Sequence, residues 1–109
     1  MHELAVAESV LDNVSAHTGG SRVTVVRLRI GRLSGVEPDS LRFCFGLVTD
    51  GTPLDGAELV IEEPGGRLHC EDCGRDIARD DPILLCPCGS ADVRVVSGRE
   101  LQLISVEVV

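Results

Sequence analysis

Four of the five cysteines in this 109-residue chain fall in two tight pairs, Cys70-Glu71-Asp72-Cys73 and Cys86-Pro87-Cys88, the second closed by Gly89. About a dozen residues connect them. A short pair sets two thiols on one side of a point, so two such knuckles can enclose one metal ion tetrahedrally. An all-thiolate tetrahedral set without an open position suits zinc in a structural role. The segment from Leu68 to Ser97 is too short to bury an apolar core by itself, and units below ~40 residues commonly need a metal or disulfides to fold. The ion would then stand in for the core. The one-residue spacer between Cys86 and Cys88 departs from the two-residue spacer of zinc ribbons, so that knuckle is expected to be tighter or distorted.

Three other readings of the cysteines compete with this one. Disulfides would need an oxidising compartment. The chain instead opens Met1-His2-Glu3-Leu4 and passes directly into a helical pattern, which reads as a cytoplasmic chain with no secretion signal. A rubredoxin-like redox module would have two-residue spacers in both pairs and an aromatic surround, whereas Phe43 and Phe45 are the only aromatics. A nucleic-acid-binding zinc ribbon is opposed by the charge: the formal net value is −8, with ten arginines and no lysine, and phosphate backbones repel such a chain. The same balance suits cations and basic protein surfaces. No apolar run reaches the ~20 residues that cross a bilayer, so no membrane contact is expected. No Ser/His/Asp set or phosphate-binding loop suggests an enzyme.

A second possible metal site stands at the other end. A histidine at position two retains the initiator methionine, leaving a free amine beside an imidazole. The Met1 amine, the His2 backbone and ring nitrogens and the Glu3 backbone nitrogen can complete a square plane, the geometry that selects Ni(II) or Cu(II). Alone this signal is weak, since a histidine at position two is usually accidental. His17 could face that site or simply end a helix; His69, beside Cys70, could assist the zinc or be a plain strand residue.

The elements that must hold these groups are legible from periodicity. Glu3 to His17 carries Leu4, Ala7, Val10, Leu11 and Val14 at helical spacing and stops at Gly19-Gly20. Arg22 to Leu33 alternates, with Val26, Leu28 and Ile30 opposite Arg27 and Arg29, as a half-buried strand does. Pro38 opens a second helix whose stripe is Leu41, Cys44, Phe45 and Val48, making Cys44 a buried core thiol. Ala57 to Glu63 and about Glu100 to Val109 are two further strands. The expected fold is α/β (α+β): two helices packed on a three-stranded mixed sheet, with an inserted zinc-ribbon-like module. The expected domains are 1–66 plus 98–109, binding nickel, and 67–97, binding zinc, hinged at Pro64-Gly65-Gly66 and Ser97-Gly98.

Taken together, Met1-His2-Glu3-Leu4, the Val26-to-Gly35 strand and turn, Cys70 and Cys73, Cys86-Pro87-x-Gly89 and the ending Leu103-Ile104-Ser105-Val106-Glu107 resemble the HypA/HybF family. Those proteins incorporate nickel during nickel–iron hydrogenase maturation. The resemblance covers the whole chain and implies a metallochaperone, not an enzyme. It implies transferred Ni(II) at His2 with Met1 and Glu3, and structural zinc at Cys70, Cys73, Cys86 and Cys88. It also implies a HypB-type GTPase partner and a hydrogenase large-subunit precursor as recipient. Urease maturation proteins are further candidate partners, and the chain itself would be a monomer or weak homodimer. The family usually has Cys-Pro-x-Cys where this chain has Cys86-Pro87-Cys88, which bears on the geometry at Cys88.

Overall fold

A computed structural model of the chain describes residues 2–109; Met1 lies outside the described residues. Helix α1 runs Glu3–Thr18 and buries Ala7, Val10 and Val14, while Leu11 of the expected stripe is half-buried and Leu4, in the first turn, is exposed. It ends where Gly19 turns left-handed at φ 61° and its N–H reaches Ser15 O. Strand β1 (Val23–Ile30) follows, with Val26, Leu28 and Ile30 buried as the alternation requires. Helix α2 (Pro38–Thr49) starts with Pro38 in its first turn, and the Glu37 side chain accepts from Asp39 N. The two helices pack against each other.

The buried line of α2 is Leu41, Phe45 and Thr49 rather than the four-residue stripe read from sequence. Thr49 occupies a buried position because its hydroxyl donates to Phe45 O at 2.7 Å. Cys44 and Val48 sit beside that line and are half-buried, so Cys44 is not the fully buried thiol expected.

Strands β2 (Glu58–Glu62) and β6 (Leu101–Val108) flank β1, giving a sheet in the order β2-β1-β6. Backbone bonds at the strand ends give their directions. Val23 N donates to Pro53 O and Arg32 N to Pro64 O, so β2 is parallel to β1. Val109 N donates to Arg22 O and Gly31 N to Glu100 O, so β6 is antiparallel and the sheet is mixed. Leu59, Val60 and Ile61 are all half-buried, where alternation predicted only Leu59 and Ile61 inward.

A second sheet lies between β2 and β6 in sequence. It consists of β3 (Arg67–Cys70), β4 (Asp76–Ala78) and β5 (Val93–Ser97), ordered β4-β3-β5 and antiparallel throughout. Leu68 lies at its centre, opposite Ile77 on one side and Val95 on the other, and is fully buried. The chain divides into two compact units. One holds the chain up to Leu28, Val36–Ile61 and Gln102–Val109; the other holds Arg29–Gly35 and Glu62–Leu101. In the second unit four passages of backbone run nearly in contact. Leu33 N donates to Gly98 O at 2.7 Å and Arg79 N to Gly66 O at 2.8 Å. A Cβ at Gly31 would lie 2.0 Å from Gly98 O, and one at Gly66 would lie 1.9 Å from Arg79 O. Glycine is required at both positions by close approach of backbone, since neither has a positive φ.

Candidate metal centre

The four paired cysteines converge. Their Sγ atoms all lie within 4.8 Å of one another, with Cys70–Cys88 at 3.7 Å and Cys73–Cys86 at 3.6 Å. A tetrahedral centre with Zn–S bonds of ~2.3 Å has sulfurs ~3.8 Å apart, whereas a disulfide needs ~2 Å. The donor set and its spacing therefore fit one tetrahedral ion. Cys88 reaches the cluster despite the shortened Cys86-Pro87-Cys88 spacer.

Each knuckle follows from local backbone. Cys70 ends β3; Gly74 N donates to Cys70 O, Cys70 N donates to Arg75 O, and Cys73 N points at Cys70 Sγ at 3.4 Å. In the second, Gly89 N donates to Cys86 O and Cys86 N to Ser90 O. Gly74 and Gly89 close these turns at φ 74° and 95°. The knuckles are tied together: the Ser90 hydroxyl donates to Asp72 and Glu71 N to Asp92 O, while Arg94 pairs with Glu71 at 3.3 Å. Cys70 and Cys86 are buried, Cys73 and Cys88 exposed.

The thiols differ in acidity before any metal arrives. The backbone N–H of Arg75, then its guanidinium, stabilises the Cys73 thiolate and brings its pKa down to about 6. At Cys88 the Ser90 backbone pulls downward, but the neighbouring Cys86, desolvation and the Cys70 and Cys73 sulfurs outweigh it, and the pKa rises to about 12. Arg75 was not singled out from sequence, although an arginine two residues past a cysteine is a recognisable signal. The Ser90–Asp72 tie had none.

The histidines separate. His69 Nδ1 meets Asp76 Oδ1 at 2.6 Å across β3 and β4, and the clustered ligand atoms are the four sulfurs without it. His17 Nδ1 meets Asn13 O at 2.7 Å in the last turn of α1. His2 is exposed at the N-cap of the same helix, its carbonyl accepting from Val6 N and its side chain making no capping bond. Fifteen helical steps of ~1.5 Å put His17 roughly 22 Å from His2, so one ion cannot hold both. Glu3 Oε2 accepts from Glu37 N at 3.4 Å, linking the starts of α1 and α2.

Comparison with known proteins gives this arrangement a lineage. Residues 1–108 match the family described as HypA, hydrogenase/urease nickel incorporation, metallochaperone. The chain belongs to the HypA family. Relatives called hydrogenase maturation factor HypA include one from Streptomyces avermitilis, 50% identical and covering 97% of this chain and 86% of its own. Another, from a Nostoc species, is 41% identical over 99% of this chain and 96% of its own. The solution structure of the Ni metallochaperone HypA from Helicobacter pylori has a TM-score of 0.67 at 24% identity, over 99% of this chain and 97% of that one, a likeness of fold. The HypA family is one of nickel-incorporation metallochaperones, and the four-cysteine cluster of this chain fits a zinc-ribbon-like module. Among the described residues no helix is long and apolar enough to cross a membrane.

Proposed function

We propose that this chain is a cytoplasmic nickel carrier, not an enzyme, that binds Ni(II) at its N-terminus and hands it on during nickel–iron hydrogenase maturation. The ligands are the Met1 amine, the backbone and ring nitrogens of His2, and the Glu3 backbone nitrogen. Met1 itself lies outside the described residues. The observation that carries the reading is His2, exposed and uncommitted to any cap at the start of α1, in a chain of the HypA family. Glu3, tied to Glu37, steadies the first turn beside it.

In this reading residues 1–66 with 98–109 form the nickel-binding domain, and 67–97 the zinc-binding module, with Cys70, Cys73, Cys86 and Cys88 holding one structural zinc ion. A HypB-type GTPase assists the transfer, the hydrogenase large-subunit precursor receives nickel, and urease maturation proteins are further partners. Acidic residues of α1 (Glu3, Glu8 and Asp12) meet a basic surface of the GTPase, so that association weakens as salt rises.

Titrating nickel into His2→Ala tests the site. The reading expects nickel binding to vanish while zinc content and fold remain. Undiminished binding in His2→Ala would place nickel elsewhere.

A further inference from the structure

Strand β2 ends its sheet: β1 pairs with one edge, and among the described residues no strand pairs with the other. Beside it lies an open groove of about 760 Å³ walled by Gly56–Ile61 on one side and by Arg42, Phe45, Gly46 and Thr49 of α2 on the other. A strand edge left open next to a groove is a template for an added strand. Gly46 helps keep it open. A Cβ at Gly46 would meet nothing within 4 Å, so this stretch of α2 stands back from its surroundings.

The charge pattern of β2 selects the occupant. It reads Glu58-Leu59-Val60-Ile61-Glu62, acids at both ends of an apolar centre. A second copy pairing symmetrically about Val60 would set Glu58 against Glu62 at both ends, and like charges directly opposite repel. Pairing about Ile61 would set Glu63 against Leu59. Glu62 is held by Arg29 at 3.1 Å, whereas among the described residues Glu58 meets no such cation, and Arg42 in the groove is offset by Asp39 at 3.5 Å. A foreign strand with basic residues four positions apart around an apolar centre matches this edge. The geometry points to a docking groove, between α2 and the free edge of β2, for an extended basic-flanked segment of a partner protein.

The test is titration of the isotope-labelled zinc-loaded protein with the peptide Lys-Val-Thr-Val-Lys, read by amide chemical shifts. Shifts should centre on Ala57–Ile61 and Gly46. The charge-reversed peptide Glu-Val-Thr-Val-Glu should bind about fivefold more weakly, and Glu58→Lys should invert that preference. Gly46→Leu, which fills the groove at a tolerant helical site, should abolish the shifts while leaving the spectrum otherwise native. Equal affinity for the two peptides, or binding unaffected by Gly46→Leu, would overturn the proposal. Concentration-dependent shifts at β2 without peptide would assign the edge to a second copy and overturn it too. Nickel binding at the N-terminus, measured on the same samples, is expected to be unchanged by Gly46→Leu.

Discussion

Removing zinc from the native protein should melt the sheet of β3, β4 and β5 and spare the helices and the sheet of β1, β2 and β6. Between Glu62 and Leu101 the only large aliphatic side chain fully buried is Leu68, at 0% exposure, with Cys70 and Cys86 the other buried apolar positions. Burying one leucine contributes about 1.5–3 kcal/mol, whereas a structural zinc ion in a small module contributes about 10–16 kcal/mol. The metal term is several times larger, so its loss decides the state of β3, β4 and β5. The other unit buries Ala7, Val14, Val26, Leu41 and Leu54 completely, and none of them depends on a thiolate. Chelation should therefore leave the helical circular dichroism nearly intact while amide signals from residues 67–97 collapse to unfolded positions and exchange freely. Cys73→Ser should do the same without chelator. Persistence of dispersed, protected amides in β3 and β5 after complete zinc removal would refute it by showing that this sheet folds without the metal. Loss of the helical signal would refute it from the other side, by showing that α1 and α2 need the metal.

Further outcomes follow from single residues. Leu41→Ala, at a fully buried site in α2, should lower stability by about 2–5 kcal/mol in denaturant unfolding while zinc content stays at one ion. Gly66→Ala should disturb the zinc module, because its Cβ would sit 1.9 Å from Arg79 O; Gly46→Ala, with open space, should be neutral or stabilising by thermal melt. Zinc affinity should rise with pH because metal and proton compete for the same thiolates. Cys73, lowered to about 6, gives up no proton above that pH and one below it, while Cys88, raised to about 12, gives one up throughout. A plot of log affinity against pH should thus steepen by one proton below pH 6, and Arg75→Ala should move that break upward.

Where one apolar period runs unbroken, sequence and structure agree. Helix α1 was expected over Glu3 to His17 and spans Glu3–Thr18; β1 keeps its Val26, Leu28, Ile30 alternation. The four cysteines were legible because ligand spacing is a local property, and their sulfurs converge as that spacing predicts. The second sheet was not foreseen. Its strands have four, three and five residues, too few for a period to emerge, and their pairing is fixed by knuckles and by Leu68 rather than by pattern. Cys44 illustrates another limit: an apolar residue one step off the buried line looks the same in sequence as one on it, and a self-bonded Thr49 took the position instead. The grouping of Arg29–Gly35 with Glu62–Leu101 rests on glycine contacts across distant parts of the chain, which no local pattern encodes.

The proposed function requires the chain to carry nickel on its own first residues. Equilibrium dialysis of Ni(II) against untagged protein and against the same protein with a histidine-free extension before Met1 tests it directly. An extension turns the terminal amine into an amide and leaves His2 in place. The untagged protein should form a yellow-orange, diamagnetic square-planar complex that the extended one lacks, with zinc equal in both. Equal nickel binding by the two proteins would show that the amine is not a ligand and that nickel is held elsewhere.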